Sequence, residues 1–198
     1  MKKVCIFASA LDTENEVYNK NAFELGAKLA ENGMVMVFGA GGTGLMGQCA
    51  KGIKSAGGKL IGVIPEFLIA PGVCYNDIDK TIVTKTIDER KQIMEDMSDA
   101  FIALPGGFGT FEELLEVITL KLLCRHGKPI VILNSGGYYN KLKEAFTYIF
   151  EEKFADISFK DTFYFAPDAA SVISYILDYK EKSLFKMRSK CLNNNLVQ

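Results

Sequence analysis

Short apolar runs rich in β-branched residues alternate along this chain with longer segments of helical period, and that alternation most restricts the fold. The runs are Val4–Ala8, Met34–Phe38, Leu60–Ile64, Thr81–Val83, Ala100–Leu104 and Ile130–Leu133. Helical patterning covers Glu14–Glu31, Leu45–Ala56, Ile87–Met97, Thr110–Cys124, Tyr138–Glu151 and Ala169–Tyr179. Continuous apolar strands need cover on both faces, so the pattern predicts a single α/β domain with a doubly wound, mainly parallel sheet. Right-handed crossovers gather the strand-to-helix loops at one edge, where such sheets hold ligands. Residues 65–80 lack periodicity and read as a loop or short helix beside that edge.

Two glycine-rich turns reach the edge. One, Leu104-Pro105-Gly106-Gly107-Phe108-Gly109-Thr110-Phe111-Glu112-Glu113, runs from a strand directly into a helix. Glycines allow close backbone approach, and the unpaired N–H groups of a helix start favour an anion. A phosphate on Gly106, Gly107, Phe108, Gly109 and Thr110, with Thr110 adding a hydroxyl, would sit within one turn of Glu113. On a helical wheel Phe111, Leu114, Leu115, Ile118 and Leu122 form the buried face, and Glu112, Glu116 and Thr119 the polar one. Glu113 lies between Val117 and Leu120, off the solvated side. Apolar neighbours raise a carboxyl pKa while a helix start lowers it.

Arg90 is the second anomaly. Ile87, Ile93, Met94 and Met97 share a helix face, and Arg90 projects from its centre. An unpaired buried charge costs about 3–5 kcal/mol. Arg90 therefore calls for a carboxylate such as Glu113, or an oxygen-rich ligand.

The other turn, Gly39-Ala40-Gly41-Gly42-Thr43-Gly44-Leu45-Met46-Gly47, contains GxGxxG in two registers. With Glu66 about 20 positions on, it keeps a dinucleotide reading open, although it follows the second strand and not the first. Gly41, Gly42 and Thr43, with Ser9 after the first strand, are candidate ligand contacts.

Absences restrict the chemistry further. The turn before Glu113 lacks the lysine of a GxxxxGK[ST] phosphate loop, and no GxSxG elbow occurs. The sole histidine, His126, lies in a polar loop and is expected to be exposed. With one histidine and five scattered cysteines no metal site is expected, and the cysteines read as reduced thiols of a cytoplasmic protein. A net charge of −1 argues against a nucleic-acid surface, and the first apolar run is too short for a leader or a membrane span. Residues 1–180 form the expected domain, and 181–198 a basic, polar tail.

These residues together resemble the Lonely Guy family, the cytokinin riboside 5'-monophosphate phosphoribohydrolases, many of which carry an older lysine decarboxylase label. The likeness spans roughly Val4 to Tyr179. It rests on Gly39–Gly47, Gly62-Val63-Ile64-Pro65, Glu89-Arg90-Lys91 with Met94, the signature PGGxGTxxE at 105–113, and Gly137-Tyr138-Tyr139-Asn140. At the first strand the family's usual Gly-Ser-Ser reads Ala8-Ser9-Ala10 here, and Ala40 replaces a usual glycine. The resemblance implies a Rossmann-like, cofactor-free homodimer that releases an adenine-type base from a nucleoside 5'-monophosphate. It implies Arg90 and Glu113 as the catalytic residues, with Lys91, Gly106, Gly107, Gly109, Thr110 and Glu112 at the substrate. Two rivals stand beside it. A non-catalytic nucleotide or cofactor carrier could use the same turns, and lysine decarboxylation would need pyridoxal phosphate on a lysine, for which none has a suitable context.

Overall fold

The computed structural model describes residues 1–180; the tail expected over 181–198 lies outside the described residues. The strands are β1 (Lys3–Phe7), β2 (Val35–Phe38), β3 (Lys59–Pro65), β4 (Lys80–Thr84), β5 (Ala100–Ala103), β6 (Ile130–Leu133) and β7 (Tyr164–Ala166). They form one sheet in the order β4-β3-β2-β1-β5-β6-β7, and every neighbouring pair is parallel. Strand β7 escapes the sequence reading because it is three residues long inside an aromatic run, too short for its period to show. Between the strands lie α1 (Glu16–Glu31), α2 (Gly44–Ser55), α3 (Ile87–Met97), α4 (Phe108–Leu122) and α5 (Asn140–Glu151), and α6 (Ala169–Asp178) follows β7.

Alternate strand residues feed two cores. Val4, Ile6, Met36 and Phe38 pack with Leu25 and Leu29 of α1, Cys49 and Ile53 of α2, and Val172 and Ile176 of α6. On the opposite face, Cys5, Phe7, Val37, Phe101 and Ile132 pack with Met94 of α3 and Leu114, Val117 and Ile118 of α4. The doubly wound architecture is therefore observed. Two wheel positions differ from expectation: Ile87 and Leu115 are exposed, at 38% and 44%, because each lies on the rim of its helix's buried face.

Winding reverses at β1. From it the chain steps outward through β2, β3 and β4, then returns to β5 on its other side and continues through β6 to β7. The loops after β1 and β5 thus part at a crevice. Across it the Ser9 N–H donates to Pro105 O at 3.2 Å, and the Leu104 N–H to Phe7 O at 2.9 Å. Residues 65–80 begin with a 3-10 turn, Glu66–Leu68, and fold back onto the first glycine cluster through an antiparallel bridge between Gly41 and Cys74.

Candidate active site

Helix α4 starts at Phe108, two residues earlier than its apolar period suggests, with Gly107 as N-cap and no capping side chain. The Phe111 N–H donates to Gly107 O, whereas the amides of Phe108, Gly109 and Thr110 have no protein acceptor among the described residues. Gly107, Phe108 and Gly109 are exposed, so the helix start presents the unpaired N–H groups of Phe108 and Gly109 where an anion can reach them. A Cβ built on Gly107 or Gly109 would meet nothing within 4 Å, so the protein itself does not require glycine there. Gly106 is different: a Cβ on it would run into the Thr110 side chain. Thr110, expected as a hydroxyl donor to the ligand, is 4% exposed and packs beneath the turn.

One turn further on, Glu113 meets Arg90. Arg90 Nη1 donates to Glu113 Oε1 at 2.7 Å, and Arg90 Nε to Val63 O, on β3, at 3.1 Å. Both side chains are nearly buried, at 12% and 11% exposure. The arginine plane lies against Gly39 at the end of β2, where any Cβ would strike Nη2. Elements far apart in sequence therefore fix one ion pair. Burial pushes the Glu113 carboxyl above its usual value, and the Arg90 guanidinium opposes that shift. A carboxylate under those two influences suits proton exchange or stabilisation of a developing cation.

Lys91 and Glu112, both assigned to the substrate by resemblance, first meet each other. Lys91 Nζ lies 2.6 Å from Glu112 Oε1 and 3.0 Å from Glu116 Oε2. Hydrogen bonding to Glu112 raises the Lys91 pKa further above its usual value, so the ammonium stays charged.

The first glycine cluster is closed by its own protein. The Gly42 N–H donates to Val73 O at 2.8 Å, the Met46 N–H to Ser9 O at 3.1 Å and the Gly47 N–H to Thr43 O at 2.9 Å. The Gly44 N–H donates to the Asp12 carboxylate at 2.9 Å. Thr43 Oγ1 donates to Ala10 O at 2.6 Å. Ser9 Oγ donates to Leu11 O and accepts from the Leu11 N–H, both at 3.0 Å. Thr43 and Ser9 thus tie the β1 and β2 loops together, Gly41 and Gly42 are tied to Cys74 and Val73 of the segment after β3, and a dinucleotide pyrophosphate would find the start of α2 already holding a carboxylate.

His126 is half-buried and not exposed: Nε2 donates to Val117 O at 2.9 Å, and Nδ1 accepts from the Lys128 N–H at 3.2 Å. Burial lowers its pKa to about 4, so the ring is a neutral clip at the end of α4. Missed by sequence reasoning were the tyrosines that brace the α4 turn. Tyr138 Oη donates to Gly106 O, and Tyr139 Oη to Leu104 O, each at 2.6 Å. The family likeness at Gly137–Asn140 was the one available signal.

A groove of about 1090 Å³ lies beside β7, where Phe146, Phe150, Phe154 and Phe165 line it. The buried Arg90–Glu113 pair and the open helix amides lie instead at the α4 turn. Among the described residues no group of three or more His, Cys, Asp or Glu side chains could hold a metal, and no helix is long and apolar enough to cross a membrane.

A family model described as "Possible lysine decarboxylase" matches residues 46–176. The "Probable cytokinin riboside 5'-monophosphate phosphoribohydrolase LOGL9" of Oryza sativa subsp. japonica is 36% identical over 178 residues, 90% of this chain and 78% of that protein. The "Cytokinin riboside 5'-monophosphate phosphoribohydrolase LOG1" of Arabidopsis thaliana is also 36% identical, over 90% of this chain and 84% of that one. Among solved structures, the molybdenum cofactor carrier protein of Chlamydomonas reinhardtii superposes with a TM-score of 0.66 at 26% identity, covering 89% of this chain and 96% of that one.

Proposed function

Because the chain belongs to the Lonely Guy family of phosphoribohydrolases, we propose that it hydrolyses the N-glycosidic bond of purine nucleoside 5'-monophosphates, AMP or its N6-substituted cytokinin counterparts. The observation that carries this reading is the Arg90–Glu113 ion pair one turn from uncapped helix amides. The 5'-phosphate rests on the amides at the start of α4 and brings the ribose C1' toward Glu113. As the C1'–N bond breaks, its electron pair leaves with the base, which takes up a proton. The Glu113 carboxylate stabilises the oxocarbenium-like ribose, and the water that adds to C1' gives its proton to Glu113. Free base and ribose 5-phosphate result. Arg90 holds the carboxylate in place and opposes its protonation. Lys91, kept protonated, supplies positive charge near the phosphate, a state opposite to what imine formation for amino-acid decarboxylation requires.

A second copy of the chain completes the proposed enzyme. Phe108, 97% exposed, and Leu115 lie two turns apart on one side of α4, an apolar surface beside the open turn that a homodimer would cover. Size-exclusion chromatography with light scattering tests it, and a monomer at micromolar concentration refutes it. We place the enzyme in the cytoplasm, a compartment that suits the buried thiols Cys5 and Cys49.

The deciding experiment incubates purified protein with AMP and isopentenyladenosine monophosphate and follows free base by chromatography. Release from monophosphates but not from ribosides is expected. Likeness to the Chlamydomonas carrier favours a second reading, in which nucleotide or cofactor is held and returned intact; bound ligand recovered uncleaved would establish it. The pH profile adds a further check. Since burial raises Glu113, the acid limb of kcat/KM should lie above the ordinary carboxylate range, near pH 4.5, with activity lost as pH falls and Glu113 protonates.

A further inference from the structure

Resting on the reading that the α4 turn holds a 5'-phosphate, we infer that Tyr138 is a positioning residue that aims the Gly107 N–H at that phosphate. Three consecutive carbonyls of the turn are held from outside. Leu104 O accepts from Tyr139 Oη, Pro105 O from the Ser9 N–H, and Gly106 O from Tyr138 Oη. A peptide unit is planar and trans, so fixing its C=O fixes its N–H in the opposite direction. The Leu104 carbonyl shares its peptide with Pro105, which has no N–H to direct. The Pro105 carbonyl orients the Gly106 N–H, and the Gly106 carbonyl orients that of Gly107.

The Gly106–Gly107 peptide is flanked by glycine on both sides, and no atom lies within 4 Å of where a Gly107 Cβ would be. Rotation of such a peptide is inexpensive. The hydroxyl of Tyr138, 2.6 Å from the carbonyl, supplies the restraint that side chains give elsewhere. Tyr138 is itself held, edge-on to Tyr18 at 5.8 Å and to Tyr139 at 4.9 Å between ring centroids. Gly136 and Gly137, at φ of 55° and 78°, turn the chain after β6 so that both tyrosines reach back to the end of β5. The hydroxyl of Tyr138 makes the hydrogen bond to the turn, and Tyr138→Phe removes it while keeping the ring that packs on Tyr18 and Tyr139.

The test is Tyr138→Phe, read first by calorimetry with ribose 5-phosphate, which needs no turnover. Affinity should fall about tenfold, the worth of one well-placed hydrogen bond. With AMP, KM should rise by about the same factor while kcat changes less than about twofold, since the reacting atoms are untouched. Gly107→Pro deletes the N–H itself at a position whose φ is −87°. If Tyr138 acts through that N–H, adding Tyr138→Phe to Gly107→Pro should change affinity by less than about twofold more. Unchanged affinity in Tyr138→Phe, a loss confined to kcat, or full additivity of the two substitutions would each overturn the assignment while leaving the proposed reaction standing. Wild-type protein that binds no ribose 5-phosphate would instead overturn the phosphate site, and the role of Tyr138 with it.

Discussion

The two glycine turns look alike as sequence and are opposites as structure. Each follows a strand, opens a helix and crowds glycines into nine residues or fewer. In the Gly39–Gly47 turn the glycines answer to the protein. A Cβ on Gly47 would strike the Gly42 carbonyl, one on Gly44 the Ser9 and Leu11 carbonyls, and the amides of Gly42, Gly44, Met46 and Gly47 already have acceptors. In the Pro105–Thr110 turn, Gly107 and Gly109 face open space and the helix start is uncapped. What identifies a ligand seat is therefore the set of donors left over once internal hydrogen bonds are counted, not the density of glycine.

If the α4 turn serves chemistry, its ion pair should be worth the most. Glu113→Gln keeps shape and a hydrogen bond to Arg90 while removing the charge, and should lower kcat by a thousandfold or more, about 4 kcal/mol of barrier. Arg90→Ala should do the same, and retained turnover in either variant would remove that residue from the mechanism. The next effect belongs to the other turn. Gly47→Ala forces a methyl into backbone and should cost about 3 kcal/mol in denaturant unfolding. Gly109→Ala should do the reverse. With free space around it inside the first turn of α4, it should stabilise the fold by about 0.5–1 kcal/mol. Its methyl would nonetheless stand beside the open amides and weaken ribose 5-phosphate binding. A Gly109→Ala protein that unfolds like Gly47→Ala would erase the distinction between the turns.

Much of this was legible in the chain. Arg90 on an apolar helix face called for a carboxylate such as Glu113 or an oxygen-rich ligand, since a charge in such surroundings needs a partner, and Glu113 stood off its own helix's polar face. The order of elements was legible too, save β7. The discrimination between the turns was not, because it depends on acceptors supplied from afar: Asp12 and Ser9 reach Gly44 and Met46 only once β1 and β2 lie side by side, and Val73 reaches Gly42 from the segment after β3 only once β3 lies beside β2. The tyrosine clamp was hidden for the same reason, since it exists only because β6 neighbours β5. Leu115 shows the limit of a helical wheel, which ranks faces but cannot say where a neighbouring element ends.

The smallest expected effect cuts closest to the comparison. Asp12 is exposed, and its carboxylate occupies the start of α2, where Thr43 as N-cap offers no capping side-chain bond. Asp12→Ala should cost about 1 kcal/mol, as loss of a helix cap does, and Asp12→Asn only a few tenths because its carbonyl oxygen can still accept from Gly44. The charge itself can be tested separately. If the α2 start is an anion seat kept filled by Asp12, inorganic phosphate should raise the thermal midpoint of Asp12→Ala more than that of wild type, and the excess should persist when Gly107→Pro weakens the α4 turn. Equal gains in both proteins would mean that the first turn has no anion affinity to mask, so that its glycines serve packing alone and the α4 turn stands apart by its helix start as well as by its unused donors.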